Sequence, residues 1–197
     1  MKKELKRKAV HLTGLIVPIV YTYFDRDFTL SFLIVALVVF VVFEPIRLDS
    51  KLREEVKKAL KLYIKVEDFE RVIEEITRSH ERSRIGAHIY LVLGALVVVW
   101  FFPDYAVGVI TVTVVSDALA SLIGRFGKVR IGKKSLEGFF AYFISALLIL
   151  SSLNYPFAPL IALIGALTEL ASIPPDDNLT CQIAMGFSAY IFKSIAF

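Results

Sequence analysis

Phe28-Thr-Leu-Ser-Phe-Leu-Ile-Val-Ala-Leu-Val-Val-Phe-Val-Val-Phe-Glu-Pro-Ile46 is a nearly uninterrupted apolar run. About 18 or more apolar residues are enough to cross the hydrocarbon core of a bilayer. Elsewhere in the 197-residue chain the charges fall in blocks, and further apolar runs lie between them. Apolar residues make up 56% of the chain, above the roughly 45–50% of soluble domains. The sequence therefore predicts an all-α, polytopic membrane protein.

Seven apolar segments predict a bundle of about seven transmembrane helices in a single domain over residues 1–197. The first and sixth are the weakest spans. The basic N-terminus resembles a signal peptide, but no small-residue cleavage site follows, so we interpret the first segment as a retained helix. The segments are residues 9–24, 28–46, 85–103, 105–123, 136–153, 157–173 and 179–197.

Residues 47–84 are different, because they are dense in charge and carry apolar residues three or four apart. This spacing predicts an amphipathic, helical cytoplasmic insertion. Three interpretations stay open: two short helices on the membrane surface or over the bundle, one helix that extends a span into the cytosol, or a solvated connector.

The basic residues give the orientation. Residues 1–8, 47–84 and 124–134 hold 21 of the 23 Lys and Arg residues, and cytoplasmic loops are enriched in these residues. We therefore expect the N-terminus, the 124–134 loop and the Pro174–Asn178 loop on the cytoplasmic side. The same enrichment explains the net charge of +4. No basic motif interleaved with aromatic residues indicates nucleic acid as a partner.

Asp117 is the first candidate site residue, because it lies inside the apolar segment 105–123. An ionisable residue within a span is costly unless it is paired or hydrated, and it usually marks function. Ala120 and Ser121 are small and allow a ligand or another helix to approach. The alternative is a packing Asp that pairs with one Lys or Arg.

The segment after this span is rich in glycine and basic residues, with three glycines and five cations in residues 124–134. Such a composition suits phosphate binding, by a nucleotide or a lipid headgroup, although the spacing is not that of a P-loop. A plain cytoplasmic basic loop is the alternative. Ser135 and Glu137 also suit a helix N-terminus. The candidate nucleotide-binding residues are Gly124, Arg125, Gly127, Lys128, Lys133, Lys134 and Ser135.

Acidic residues near the sixth and seventh segments are candidate Mg²⁺ ligands, together with Asp117. They are Glu169, Asp176 and Asp177, and Mg²⁺ prefers such oxygen ligands. Asp177 or Asn178 would alternatively cap the last helix. His11 follows Arg7 and Lys8 and would face the site from the first segment. Cys181, the only cysteine, we interpret as a small packing residue.

These residues resemble a known signature. Asp117-x-x-Ala120-x-x-x-Gly124-Arg-Phe-Gly-Lys128, followed by Lys133-Lys-Ser-x-Glu-Gly138, is similar to the block of CTP-dependent polyprenol kinases. That family includes dolichol kinase, phytol kinase and the CTP-dependent diacylglycerol kinase. Glu169 with Asp176-Asp-Asn178 also resembles the family, as do two early pairs, Arg7-Lys8 with His11 and Glu44 with Arg47.

The resemblance implies a membrane catalytic domain that uses CTP, Mg²⁺ and a membrane isoprenoid alcohol such as dolichol, polyprenol or geranylgeraniol. It implies catalytic roles for Asp117, Lys134 and Glu137. Four further residues are expected to contact lipid or support the site: His11, Glu44, Arg47 and Asn178. The expected location is the cell membrane of a prokaryote or the endoplasmic reticulum membrane of a eukaryote, with the site facing the cytoplasm.

Two alternatives to a kinase remain. Phosphatidate cytidylyltransferases carry a related block, but they usually have a Pro before the two lysines, whereas this chain has Ile131-Gly-Lys-Lys-Ser135. A non-enzymatic transporter or lipid-binding protein would carry polar residues near the midplane of several spans. Here the polar features cluster at one face, which favours the kinase. The sequence leaves a homodimer open.

Overall fold

A computed structural model describes residues 2–49, 51–52, 54–56 and 85–196. Most of the predicted amphipathic segment 47–84 therefore lies outside the described residues. Within them the chain is all-α, as predicted. The helices are α1 Lys2–Leu12, α2 Ile16–Tyr23, α3 Arg26–Leu48, α4 Ala87–Phe101, α5 Ala106–Gly124, α6 Leu136–Ser152, α7 Ala158–Ala171 and α8 Asp177–Ala196.

Each of the seven apolar segments falls on a helix. The first is divided between α1 and α2 by a 3₁₀ turn, Thr13–Leu15. Polar turns separate the helices: Asp25 accepts a hydrogen bond from the Phe28 N–H and caps α3, and a 3₁₀ turn, Pro103–Tyr105, precedes α5. Hydropathy and turn chemistry therefore locate the helices closely.

Between α5 and α6 the chain forms a short antiparallel hairpin that the sequence does not predict. Strands β1 (Arg130–Ile131) and β2 (Lys134–Ser135) pair Arg130 with Ser135 and Ile131 with Lys134. Gly132 forms the turn with a φ of +58°, a conformation that glycine adopts without strain. The hairpin places Lys134 at a fixed position ahead of α6.

α5 lies at the centre of the described bundle. It packs against α1, α2, α4, α6 and α8, and most of its side chains are buried. Its contact with α6 is close, because a Cβ added at Gly124 would lie 3.1 Å from the Cα of Gly138. Small residues permit this kind of approach between membrane helices.

Two helical stretches are long and apolar enough to cross a membrane, Arg26–Leu48 and Pro103–Gly124. α3 leaves large apolar side chains such as Val35 and Val42 exposed, a surface typical of contact with lipid. α4, α6 and α7 are apolar but shorter. The 14-residue α7 is about 21 Å long at 1.5 Å per residue. The count of seven transmembrane helices stays a prediction.

Charged groups divide between the two ends of the bundle. At one end Arg26 donates to the Trp100 carbonyl (2.7 Å) and Lys193 pairs with Asp104 (2.9 Å). The other end carries the hairpin, the C-terminus of α7 and the start of α8. This arrangement agrees with the predicted separation of basic loops, whereas the side of the membrane that each end faces stays a prediction.

Candidate active site

Asp117 is buried on α5 and paired with a buried lysine on α1. The Lys8 ammonium donates to Asp117 Oδ2 at 2.5 Å and to the Asp117 carbonyl at 3.3 Å. The Lys8 side chain is 2% exposed. Removing either member of a buried ion pair is costly, because the remaining charge is left buried without compensation. Asp117 is therefore paired with a lysine, which is the contact expected if this acid has a packing role.

His11 also faces Asp117, as predicted. Its Nε2 lies 3.2 Å from the same carboxylate oxygen that receives the Lys8 ammonium. Lys8 and His11 are three residues apart and share one face of α1. Ser121 donates to the other oxygen, Oδ1, at 3.4 Å. The carboxylate is therefore oriented by a cation, an imidazole and a hydroxyl.

A second charged cluster joins the hairpin to α7 and α8. The Lys134 ammonium donates to Glu169 Oε1 and to Asp177 Oδ2, the latter at 2.7 Å. Burial alone would lower the pKa of Lys134, but the carboxylates of Glu169 and Asp177 outweigh it and raise the pKa above its usual value. Lys134 therefore stays charged, and two acids from different helices share one cation.

The two clusters are neighbours, close enough for the charge of Asp117 to act on both Lys134 and Glu169. The charges of Glu169 and Asp117 also act on the phenol of Tyr142 on α6. Tyr142 is fully buried, and its hydroxyl lies beside the Cys181 thiol. Together these side chains form one polar site within the end of the bundle.

Two members of this site were not predicted in their roles: Lys8 was named beside His11 but not as the partner of Asp117, and Tyr142 was not named. Lys8 has a detectable signal, since it lies three residues before His11 and so faces the same direction. Tyr142 has none, because a tyrosine within an apolar segment looks like any other packing residue.

Glu137 holds the glycine-rich segment in place. Its Oε1 accepts hydrogen bonds from the N–H groups of Lys128 (2.7 Å) and Val129 (3.4 Å). Ser135 caps α6, as predicted, by accepting from the Gly138 N–H at 3.1 Å. These contacts show that Glu137 positions the loop, and the catalytic role predicted for it stays a prediction.

The glycines have a packing role that the sequence interpretation did not foresee. A Cβ at Gly127 would meet the Glu137 carboxylate and would lie 2.6 Å from Ser135 Oγ. Gly124 is buried against Ser135 and Gly138 in the same way. Of the loop cations, Lys134 is bound to the acids, whereas Arg125, Lys128 and Lys133 are exposed. Their predicted contact with a nucleotide stays a prediction.

Asp176 and Asn178 organise the start of α8. Asp176 Oδ1 accepts from the backbone N–H of Asn178 (3.0 Å) and from its side-chain amide (2.8 Å). The next residue, Asp177, is thereby directed to Lys134. Asp176 therefore forms the turn before α8, whereas Asp177 faces the Lys134 cluster.

Glu44 and Arg47 form a separate junction. Arg47 Nη2 donates to Glu44 Oε1 at 2.5 Å, and the Gly86 N–H donates to the same oxygen at 2.7 Å. These contacts connect the end of α3 to the residue that precedes α4. A role of Glu44 and Arg47 in contacting lipid stays a prediction.

Two of the described acids, Glu169 and Asp177, direct carboxylate oxygens at a shared cation. The described residues include no group of three or more His, Cys, Asp and Glu side chains that would hold a metal. The Lys134 ammonium takes the shared cation position. Mg²⁺ commonly uses one or two carboxylates together with substrate phosphates and water. Glu169 and Asp177 therefore suit Mg²⁺ better than Asp117, which Lys8 neutralises.

Comparison with known proteins gives partial matches. An uncharacterized protein of Methanocaldococcus jannaschii is 38% identical over 105 residues, which are 50% of this chain and 55% of that protein. The dolichol kinase sec59 of Schizosaccharomyces pombe is 40% identical over 85 residues, 37% of this chain and 17% of the yeast protein. The match thus spans about half of one relative and under a fifth of the other. No family model matches the chain, and no solved structure matches it. Over the matched part, the chain resembles a dolichol kinase.

Proposed function

We propose that this protein is a membrane lipid kinase that transfers the γ-phosphoryl group of CTP to the hydroxyl of an isoprenoid alcohol. The observation that carries the proposal is the convergence of Asp117, Lys134, Glu169 and Asp177 at one end of the bundle, beside an exposed basic loop. The partial likeness to a dolichol kinase supports it. The preference for CTP rests on the motif resemblance.

Phosphoryl transfer depends mainly on positioning and on neutralisation of phosphate charge. In this proposal Lys134 and the exposed Arg125, Lys128 and Lys133 contact the phosphates. Glu137 holds the segment that carries Lys128, so the cations are arranged before the nucleotide binds. Mg²⁺, held by Glu169 and Asp177, would supply further neutralisation of the phosphate charge.

Asp117 is the proposed acceptor of the alcohol proton. The alcohol oxygen forms a bond to the γ-phosphorus, the bond from that phosphorus to the β–γ bridging oxygen breaks, and CDP leaves. The hydroxyl proton passes to the Asp117 carboxylate, which Lys8 and His11 orient. A positioned carboxylate contributes roughly 10²–10⁴-fold to such a step.

The location of Asp117 also suits a lipid substrate. It lies seven residues before Gly124, roughly 10 Å inside the end of α5. With seven helices crossing the membrane and this end in the cytoplasm, an alcohol would enter laterally with its tail among the helices. Its hydroxyl would then reach Asp117 while the nucleotide stays on the aqueous side.

Product analysis tests the proposal. Purified protein is given either a polyprenol or phosphatidate as acceptor, together with CTP radiolabelled at either the α- or the γ-phosphorus, with ATP as a parallel donor. The kinase transfers only the γ label to lipid and releases CDP. Transfer of the α label with release of pyrophosphate would identify a cytidylyltransferase instead. No turnover of any nucleotide would favour a transporter or a lipid-binding protein.

A further inference from the structure

Glu169 and Asp177 present their oxygens to a single point from two helices. Glu169 lies near the end of α7 and Asp177 begins α8, so both acids have fixed backbones. The cation at that point comes from a different kind of element, since Lys134 extends from the two-residue strand β2. The anions are thus held by the bundle and the cation by a loop.

The charges at this point favour a cation strongly. Glu169 is only 4% exposed, and the negative charge of Asp177 acts on it. Two neighbouring carboxylates, one of them buried, are costly to leave uncompensated. An ammonium is a compact point charge, and a divalent cation would compensate both acids.

The surroundings of Glu169 offer further polar contacts. Its second oxygen, Oε2, lies 3.9 Å from Cys181 Sγ. The buried Tyr142 hydroxyl lies beside the Cys181 thiol and is close enough to Glu169 for the charge of that acid to act on it. A cation-bound water is a suitable partner for such a hydroxyl.

We infer that Lys134 competes with a divalent cation for the carboxylates of Glu169 and Asp177, and so couples metal binding to nucleotide binding. The inference rests on the proposed function. A nucleotide triphosphate offers Lys134 a new anionic partner and offers the cation phosphate oxygens. Metal and nucleotide therefore bind together, whereas the metal alone binds weakly.

Mn²⁺ binding in the absence of nucleotide tests this inference. The electron paramagnetic resonance signal of free Mn²⁺ is measured with the protein in detergent, and its loss reports binding. Lys134→Gln removes the competing charge and should bind Mn²⁺ about tenfold more tightly than the wild type, a difference of about 1.4 kcal/mol. Lys193→Gln is the matched control, because Lys193 pairs with Asp104 at the opposite end. It should bind Mn²⁺ like the wild type. Adding Glu169→Gln to Lys134→Gln should abolish the gain.

Equal Mn²⁺ affinity in folded Lys134→Gln and the wild type would overturn the inference. If that variant does not fold, the wild type gives a second test: millimolar Mn²⁺ should release Lys134 and raise its modification by an amine-reactive reagent severalfold, as measured by mass spectrometry. Unchanged modification while Mn²⁺ is bound would also overturn it. These readouts need no turnover. Phosphoryl transfer without the Mn²⁺ effect would therefore refute only the competition between Lys134 and the cation. The Mn²⁺ effect without phosphoryl transfer would refute only the proposed kinase activity.

Discussion

Lys8 and Asp117 illustrate how single residues stabilise this site. Both side chains are nearly inaccessible, at 2% and 9% exposure, and each compensates the other's charge. The pair connects α1 to the central helix α5. The same contact that fixes the first helix therefore also orients the carboxylate that we assign to proton transfer.

Lys8→Met should lower the free energy of unfolding by about 3–5 kcal/mol, because it leaves the Asp117 carboxylate buried without its ammonium. Denaturant unfolding in detergent measures the change. The double variant Lys8→Met/Asp117→Asn should recover most of the loss, since it removes both charges. Lys193→Met, which breaks an exposed pair, is the control and should unfold like the wild type. Wild-type stability in Lys8→Met would contradict the assigned pairing.

Glu137 gives a second test of a single residue. Glu137→Gln keeps a side-chain oxygen for the Lys128 and Val129 N–H groups, so kcat should stay within about threefold of the wild type. Glu137→Ala removes the acceptor and should raise KM for CTP, since the loop loses its support. Steady-state kinetics with both variants separates the roles. A large fall in kcat for Glu137→Gln would indicate direct catalysis instead.

Among the elements, the segment between α5 and α6 is the most sensitive to the size of a side chain. Gly127→Ala should weaken CTP binding at least about tenfold, because the added Cβ meets Ser135 Oγ at 2.6 Å and crowded sites tolerate such additions poorly. Gly132→Asn is the control. Nothing lies within 4 Å of a Cβ at Gly132, and Asn accepts its positive φ. Equal KM values for the two variants would contradict a packed role for Gly127.

The sequence predicts the helices of this protein but not its hairpin. The helices are predictable because an apolar run within a bilayer has few alternatives to a helix, as the match of segment 105–123 to α5 shows. The hairpin is not predictable, because two-residue strands have no alternation to detect. The Lys134 contact with Glu169 was missed for a related reason: a basic loop predicts charge, whereas the partner depends on how α6, α7 and α8 pack.

The whole molecule is expected to take one orientation in the membrane, with the basic loop in the cytoplasm. Phe126 and Tyr23 are 75% and 80% exposed and lie at opposite ends of the bundle. In a Cys181→Ala background, Tyr23→Cys should react with a membrane-impermeant maleimide in intact cells, whereas Phe126→Cys should react only after the membrane is opened. The reverse pattern would place the basic loop outside, away from cellular CTP.

We propose that the acids at one end of the bundle perform phosphoryl transfer. The most direct test measures transfer of the γ label from CTP to polyprenol by Asp117→Asn, Glu169→Gln and Asp177→Asn. Asp104→Asn, an exposed acid at the opposite end, is the matched control. We expect losses of about 100-fold or more in the first three variants and wild-type transfer in Asp104→Asn. Wild-type transfer by Asp117→Asn and Glu169→Gln would contradict it.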